Sequence, residues 1–516
     1  MPKWFNTAGP CKADLHYMLP PLARLPQVHQ LVERQGYFVI HAPRQTGKTT
    51  AMLALAQQLT ASDRYAAVMV SAEVGAPFPE NPGTAERAML DAWRDDATFW
   101  LPPSLHPPAW PSSEPGRQIG AALSAWAQQS ARPLVLFIDE IDALQGPTLL
   151  AVLRQLRNGY PKRPQGFPYA MALVGLRDVR DYKLASGGSA RLNTASPFNI
   201  KIASLTLRNF SPTEIAELYK QHTHETGQIF SSTAVERAFE LTQGQPWLVN
   251  AIGQQLVEVI VPDPQQAITA EHVERAKEAL IHQKETHLDS LASILREERV
   301  RAVIEPMLAG QGLGNIPQDD REFLLDLGLV SRDPSGGLTI ANPIYREVLP
   351  RVLASGPQDS LPVVHPSWLT ADGSLEPEKL LDAFLQFWRQ HGEPLLKSAP
   401  YHEIAPHLVM MAFLHRVVNG GGTLEREYAI GSNRMDLCLR YGGVTLAIEL
   451  KVWRQGGPDP LKAGLAQIDR YLAGLGLASG WLVIFDQRPG QPPIAERTAT
   501  EQAITPSDRP ITVIRG

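Results

Sequence analysis

The most informative segment of the chain reads Ala42-Pro43-Arg44-Gln45-Thr46-Gly47-Lys48-Thr49-Thr50. It follows an apolar run, Tyr37 to His41, that is typical of a buried strand, and it leads into a predicted helix from about Lys48 to Leu59. A Gly-Lys-Thr ending between a strand and a helix is typical of a phosphate-binding loop. Backbone N–H groups of such a loop and of the helix N-terminus point at phosphate oxygens. We therefore expect a nucleoside triphosphate site in this segment.

The residues of this loop have different expected tasks. Gly47 lets the backbone approach the phosphates closely, Lys48 supplies positive charge, and the Thr49 hydroxyl can ligate Mg²⁺. The other residues from 42 to 46, and Thr50, are expected to line the phosphates. Ala42 occupies a position that is usually glycine, which leaves the detailed shape of the loop open. A chance match in a strand–turn–helix unit is the alternative interpretation.

A second motif argues against a chance match. The apolar run Leu134 to Ile138 delivers Asp139 and Glu140 to the end of a predicted strand about 90 residues after the loop. Asp139 can hold Mg²⁺ through water, and Glu140 can orient the water that attacks the γ-phosphate. The alternative is that these acidic residues only cap a helix.

Three more apolar runs, at residues 65–72, 170–175 and 200–207, alternate with helical stretches. This alternation predicts a parallel sheet that is covered on both faces, and thus an α/β fold. Arg177 follows the fourth run and should lie beside the first strand, so it is a candidate γ-phosphate sensor. A surface ion pair with Asp178 or Asp181 is the alternative. The Pro-rich residues 101–115 predict an inserted surface loop.

The bulk composition sets limits on the class of protein. The chain has 516 residues and a net charge of −5, which predicts about three or four domains and no global basic field for nucleic acid. Cys11 and Cys438 are its two cysteines, so we expect no disulfide framework, no cysteine zinc site and a cytoplasmic location. No apolar run is long enough to predict a membrane span or a signal segment.

With four motifs the chain resembles the AAA-like ATPases of bacteria, close to the STAND signalling ATPases and the archaeal and origin-recognition ATPases. The motifs are residues 5–10, the phosphate loop, Asp139-Glu-Ile-Asp142 and Gly244-Gln-Pro-Trp247. The resemblance covers residues 1 to about 350. It implies a five-stranded core, a helical lid, a winged helix, and ATP with Mg²⁺ as cofactors. It also matches Arg177 to the arginine that follows the fourth strand.

Within that family, a Gly-x-Pro motif of the lid packs near the adenine, which would assign this place to Gly244 and Pro246. A simple helix-breaking turn is the alternative. Asn6 to Pro10 is expected either to help form the nucleotide pocket or to pack as a strap on the sheet.

From about Pro212 the predicted elements are helical, with Ser211 as an N-cap. Two short strands around the turn Asp333 to Gly336 follow further helices and suggest a winged helix. Its basic residues Arg296, Arg299 and Arg301 are diluted by neighbouring glutamates, so packing against the ATPase core is favoured over DNA binding.

A second constellation lies near the C-terminus. Glu449 and Lys451 are two residues apart on a predicted strand and therefore share a face. A hairpin through Gly442 and Gly443 brings Asp436 near them. The two carboxylates and the Leu450 carbonyl can hold Mg²⁺, and Lys451 can position a water for attack on a phosphodiester.

Gln467 and Tyr471 lie one turn apart on the next predicted helix and can face the same cleft. In order and spacing this set resembles the PD-(D/E)xK nuclease fold over residues 400 to 486, although Met435 replaces the literal proline. A further family carboxylate would be Glu403, or else Glu427. A surface hairpin with salt bridges, or an inactive nuclease fold, is the alternative.

These expectations divide the chain into an ATPase core (1–208), a helical lid (209–284), a winged helix (285–353), a linker with a helix (354–398) and a restriction-endonuclease-like α/β domain (399–516). One hypothesis is an ATP-controlled, metal-dependent nuclease acting on nucleic acid, with DNA favoured, as a homo-oligomer. Such fusions resemble components of prokaryotic defence or mobile-element systems. The other hypothesis is a nucleotide-dependent signalling or nucleic-acid-binding module that does not cleave.

Overall fold

The computed structural model describes residues 2–177, 198–283, 294–295, 297–308, 316–333, 336–350, 367–370, 372–398, 405–418, 422–430 and 433–516. The chain divides into two compact units. The first comprises Met1–Gln283 and Pro317–Pro343, and the second comprises Lys284–Ile316 and Ile344–Gly516. Each unit is built around a sheet of its own.

The first unit contains a parallel sheet of five strands. The strands are β1 (Tyr37–His41), β2 (Ala66–Ser71), β3 (Leu134–Asp139), β4 (Ala170–Gly175) and β5 (Ala203–Thr206), in the order β2-β3-β4-β1-β5. The predicted five-stranded parallel core is confirmed. The predicted neighbourhood of the fourth and first strands is also confirmed, because all five residues of β1 pair with β4.

Helices cover both faces of this sheet. They are α1 (Val28–Glu33), α2 (Lys48–Ala61), α3 (Pro82–Trp100), α4 (Gln118–Gln129) and α5 (Gly146–Gly159). One core cluster joins α1 and α2 to the sheet, and another joins α3, α4 and α5 to its opposite face. The strands read as continuous apolar runs because both of their faces are buried.

The Pro-rich stretch from Leu101 to Pro115 is not the exposed surface loop that the sequence predicts. It contains a 3-10 turn, Pro103–Leu105, and the side chains of Leu101 and Leu105 are buried in the core. The indole of Trp126 donates a hydrogen bond to the Leu105 carbonyl at 3.2 Å. The stretch is therefore anchored to the sheet domain and is not simply a surface loop.

A helical region follows the sheet. It consists of α6 (Pro212–Thr226), α7 (Ser232–Thr242), α8 (Pro246–Gln255) with a π-helical turn at Leu256–Ile260, and α9 (Ala270–Gln283). Ser211 caps α6 as predicted, since its hydroxyl accepts from the Glu214 N–H and the Glu214 carboxylate accepts from the Ser211 N–H.

The next elements belong to different units. Helix α10 (Glu298–Leu308) is part of the second unit, whereas helix α11 (Gln318–Asp326) and the antiparallel strands β6 (Val330–Arg332) and β7 (Leu338–Ile340) are part of the first. The predicted hairpin around residues 333–336 is present. The winged helix as a whole stays a prediction, and Arg296 lies outside the described residues.

The second unit contains a mixed sheet of six strands. It comprises β8 (Thr423–Ile430), β9 (Asn433–Tyr441), β10 (Val444–Trp453), β11 (Gly480–Asp486), β12 (Ala499–Ile504) and β13 (Pro510–Arg515), in the order β12-β13-β11-β10-β9-β8. The pairs β10–β11 and β11–β13 are parallel and the others are antiparallel.

Helices α12 (Pro377–Ser398) and α13 (Ala405–Val418) share one core cluster with this sheet, and α14 (Leu461–Leu475) shares another. A short helix, α15 (Ile494–Arg497), precedes β12. Strands β12 and β13 then form an antiparallel hairpin at one edge of the sheet. Among the described residues, no helix is long and apolar enough to cross a membrane.

Candidate functional site

The phosphate loop connects β1 to α2 with two residues in left-handed backbone conformations, Gln45 (φ 58°) and Gly47 (φ 93°). The Lys48 ammonium donates to the carbonyls of Ala42 at 2.7 Å and Pro43 at 2.8 Å. Burial lowers its pKa to about 8. Ala42 is buried in the core beneath the loop. The missing first glycine therefore does not prevent the turn, because the unusual φ angles lie at residues 45 and 47.

The second strand-end motif lies against this loop. The Thr49 hydroxyl donates to a carboxylate oxygen of buried Asp139 at 2.7 Å, and the Glu140 N–H donates to the other at 3.0 Å. Burial raises the pKa of Asp139. A Mg²⁺ ion fits this pair chemically, because a hydroxyl and a carboxylate are oxygen ligands of the kind it prefers.

Glu140 is displayed at the surface of the cleft in a left-handed conformation (φ 52°). Such a backbone is uncommon outside glycine and marks strain that is typical of functional sites. Desolvation raises the pKa of Glu140, and the charge of the nearby Glu73 carboxyl raises it further. Glu73 follows β2 and is a neighbour that the sequence motifs did not indicate.

Arg177 lies just beyond β4, at the same edge of the sheet. The Leu176 N–H donates to the Asp142 carboxylate at 3.1 Å, which ties the ends of β3 and β4 together. The Arg177 guanidinium stacks over the Phe323 ring, 3.9 Å from its centroid. Asp178 and Asp181, the alternative partners, lie outside the described residues.

The N-terminal strap, residues 4–11, packs on the helical region and not on the sheet. Phe5 is fully buried beside Tyr17 and Tyr219, and the Trp247 indole donates to the Thr7 carbonyl at 2.8 Å. The Cys11 N–H donates to the Thr50 hydroxyl at 3.1 Å. The strap therefore links α8 to the start of α2.

Arg24 is a second residue that the sequence motifs missed. Its guanidinium donates to the Thr46 carbonyl at 2.9 Å and to the Arg208 carbonyl at 2.7 Å, and it stacks 4.7 Å from the Phe210 ring. Burial lowers its pKa to about 10. No periodicity or motif surrounds Arg24, so only the three-dimensional arrangement shows that it braces the phosphate loop.

The Gly-x-Pro motif begins helix α8. A Cβ on Gly244 would lie 1.9 Å from the Phe210 carbonyl oxygen, so this position requires glycine. The Gln245 side chain caps the helix by accepting from the Leu248 N–H at 2.6 Å, and Pro246 is the first helical residue. The turn joins α8 to residues 208–210 beside Arg24. Contact of Gly244 and Pro246 with adenine stays a prediction.

In the second unit, the pairing of β9 with β10 ends at Leu437–Ile448, just before Asp436 and Glu449. The Asp436 carboxylate enters the resulting gap and accepts from the Leu450 N–H at 2.8 Å. The N–H and carbonyl of one strand residue point to the same side, so the Leu450 carbonyl faces this gap as well. The structure thus brings together Asp436, Glu449 and Leu450, as the sequence predicts.

A chain of polar contacts extends from Glu449 to helix α14. The Lys451 ammonium is 2.5 Å from Glu449 Oε1 and donates to Gln467 Oε1 at 3.0 Å. The Gln467 amide in turn donates to the Tyr471 hydroxyl at 2.8 Å. The hydrogen bond to Gln467 therefore helps to hold the Lys451 ammonium beside the Glu449 carboxylate.

The electrostatics of Glu449 indicate a cation site. Its side chain is fully buried, and its Oε2 accepts no hydrogen bond of normal geometry from any described residue. Burial, then the Asp436 charge, raises the pKa of Glu449 to about 8, whereas Lys451 and the backbone N–H of Asp436 lower it. A buried carboxylate oxygen without a partner is costly. A divalent cation bound between Asp436, Glu449 and the Leu450 carbonyl would remove that cost.

The described residues contain no cluster of three or more His, Cys, Asp or Glu side chains that could hold a metal. Two carboxylates and a carbonyl still fit Mg²⁺, which keeps several waters in protein sites. Of the candidate extra carboxylates, Glu403 lies outside the described residues, and Glu427 lies on β8 with an undescribed side chain. Neither prediction is tested.

Comparison with known proteins supports the first of the two sites. Residues 31–182 match the model of the family described as AAA domain. This range holds β1 to β4, the phosphate loop, the β3 acidic pair and Arg177. The chain therefore contains an AAA-type P-loop ATPase domain. No curated protein matches the chain.

Several solved structures are similar to the chain at low identity. The Walker-type ATPase of Pyrococcus abyssi is 13% identical with a TM-score of 0.48, over 67% of this chain and 99% of that one. The Thermotoga maritima RuvB Holliday junction branch migration motor is 16% identical with a TM-score of 0.31, over 61% and 89%. The Aeropyrum pernix ORC1 protein in complex with DNA is 13% identical with a TM-score of 0.34, over 66% and 94%.

Proposed function

We propose that this protein is an ATPase whose nucleotide state controls a metal-dependent nuclease site in the same chain. The observation that carries the nuclease assignment is the buried Glu449 carboxylate beside Asp436, with one oxygen paired to Lys451 and the other without a hydrogen bond of normal geometry from any described residue. The nucleotide assignment rests on the phosphate loop and the β3 acidic pair. A role in prokaryotic defence or mobile-element biology, acting on DNA, is part of this proposal.

At the first site, each residue has a separate task. Loop N–H groups and Lys48 bind the β- and γ-phosphates, and Thr49 with Asp139 would hold Mg²⁺. Glu140 orients the attacking water from its exposed position at the end of β3. Its backbone N–H donates to the Asp139 carboxylate, which keeps the two residues together. When bound, Mg²⁺ neutralises charge that develops on the phosphate oxygens.

At the second site, Asp436, Glu449 and the Leu450 carbonyl would hold the metal, which supplies Lewis-acid polarisation of the scissile phosphate. Lys451 lies beside Glu449 and can hold the attacking water by hydrogen bonding. Gln467 and Tyr471 keep the ammonium in place. Burial excludes bulk water around Glu449 and strengthens each of these interactions.

The alternative function is a nucleotide-dependent binding module without cleavage. In that case the Lys451–Glu449 ion pair would have only a structural role. A buried pair of this kind is weak support for stability, because the desolvation cost offsets the attraction. Because no described residue donates a hydrogen bond of normal geometry to Glu449 Oε2, the metal-binding interpretation is favoured over the structural one.

The direct test of the nuclease is incubation of the purified full chain with plasmid, linear DNA and RNA, with Mg²⁺ or Mn²⁺, with and without ATP. We expect metal-dependent cleavage of at least one substrate, removed by a chelator. If no substrate is cut under any of these conditions, the binding module becomes the better description.

Replacement of Glu140 by Gln is expected to preserve ATP binding and to slow hydrolysis by about 100-fold or more, because the neutral amide accepts a weaker hydrogen bond than the carboxylate and orients the attacking water less well. Phosphate release and nucleotide binding should be measured on the same preparations. Glu236→Gln, a change at an exposed carboxylate on α7, is the matched control. Equal hydrolysis by Glu140→Gln and the wild type would refute the role of Glu140.

A further inference from the structure

Three contacts connect the phosphate loop, β4 and the segment that carries α11 and the β6–β7 hairpin. The Ala42 N–H donates to the Gly175 carbonyl at 3.3 Å. Two residues later, Arg177 stacks on Phe323 of α11. A Cβ on Gly328, just after α11, would lie 2.6 Å from Cγ of Pro43 in the phosphate loop. The described residues 318–333 and 336–340, here the hairpin segment, therefore lie against the phosphate-binding edge of the sheet.

The contact of Arg177 with Phe323 has a specific chemistry. Phe323 is 4% exposed, and the guanidinium lies 3.9 Å from its ring centroid, within the range of a cation–π interaction. Arginine keeps its charge at all physiological pH values, so deprotonation does not release this contact. A phosphate that carries two negative charges offers the guanidinium stronger, charge-assisted hydrogen bonds.

We propose that Phe323 is a positioning residue that holds Arg177 against the hairpin segment, and that the γ-phosphate of ATP draws Arg177 away from it. The inference rests on the proposed nucleotide site and adds a regulatory step to it. When Arg177 leaves the ring, the hairpin segment loses this contact with the phosphate edge and loosens. ADP lacks the γ-phosphate and leaves the stack in place.

Gly328 provides an independent way to disturb the same contact. It adopts φ +71°, and a Cβ there would press on the Pro43 ring. Gly336, in the hairpin turn, adopts φ +90° but has no atom within 4 Å of the position of a Cβ. Gly328→Ala and Gly336→Ala therefore impose similar backbone strain, and only the first pushes the segment away from the phosphate loop.

The test is amide hydrogen exchange of peptides from residues 318–340 in the full-length chain. The wild type is measured without nucleotide, with Mg·ADP and with the non-hydrolysable β,γ-imido analogue of ATP. We expect slow exchange in the first two states and about tenfold faster exchange with the analogue, a factor within the range for loss of one partly buried cation–π contact. Phe323→Leu and Gly328→Ala should exchange fast in all three states, and Gly336→Ala should behave like the wild type.

Phe323→Leu keeps an apolar side chain and removes the ring face, so slow exchange in this variant overturns the inference by showing that packing alone holds the segment. Unchanged wild-type exchange while the analogue is shown to bind also overturns it and leaves the nucleotide site intact. Failure of the analogue to bind would contradict the nucleotide site itself. Thermal melting of each variant shows whether faster exchange is local or reflects global unfolding.

Discussion

Asp436→Asn is expected to reduce metal-dependent cleavage by at least about a hundredfold, because the amide preserves the size of the side chain and removes one of two anionic metal ligands. The Asn oxygen can still accept from the Leu450 N–H, so the strand gap should keep its shape. The loss would therefore report chemistry and not unfolding. Cleavage rates across a range of Mg²⁺ and Mn²⁺ concentrations are the measurement.

The matched control is Asp382→Asn, which neutralises an exposed carboxylate on α12 in the same unit. It should cleave like the wild type. If Asp436→Asn cleaves as fast as the wild type at low metal concentration, Asp436 does not bind the metal and the proposed nuclease site is wrong.

Lys48→Ala is expected to weaken ATP binding by roughly 2–5 kcal/mol, the usual cost of removing one partner of a buried charge pair. Each ~1.4 kcal/mol is a factor of ten in affinity. The structure gives the reason, since the ammonium is buried against the Ala42 and Pro43 carbonyls at the phosphate loop. Isothermal titration with ATP and ADP measures the effect.

Lys220→Ala is the control for Lys48→Ala, because Lys220 is an exposed lysine on α6 of the same unit. It should bind ATP as the wild type does. If Lys48→Ala binds ATP within about twofold of the wild type, a change of less than ~0.5 kcal/mol, then the loop does not bind the triphosphate in the proposed way.

Much of the first unit could be predicted from the sequence. Its five strands are recognisable because they are apolar runs that are buried on both faces. The phosphate loop is recognisable because its conformation depends on the local Gly-Lys-Thr sequence. Arg24 and Glu73 could not be predicted in this way. Their roles arise from contacts with Thr46 and Glu140, which are distant in sequence and carry no local pattern.

The second unit shows the same division. Asp436, Glu449 and Lys451 could be placed together because a hairpin and a two-residue strand repeat bring them to one face. Strand β12 is hard to predict from the sequence because its side chains are mostly exposed, so it shows little apolar alternation. The Pro-rich residues 101–115 predict a surface loop, but Leu101 and Leu105 are buried in the core although the backbone there is irregular.

The contact of Arg177 with Phe323 depends on tertiary structure alone. Arg177 was placed correctly at the end of β4, but its partner lies almost 150 positions further along the chain. The strand order predicts where Arg177 lies, but nothing in the sequence near Arg177 indicates that the Phe323 ring stacks against it. This contact suggests how a nucleotide signal could leave the sheet domain.

The central claim is that the nucleotide site controls the nuclease site, and a comparison of cleavage rates tests it most directly. Wild type and Lys48→Ala are each assayed on the same substrate, at the same Mg²⁺ concentration, with and without ATP. We expect ATP to raise wild-type cleavage by about fivefold or more, in the range of ordinary coupling between sites, and to leave Lys48→Ala unchanged. Wild-type cleavage that is indifferent to ATP, or an equal ATP response in Lys48→Ala, would contradict the claim.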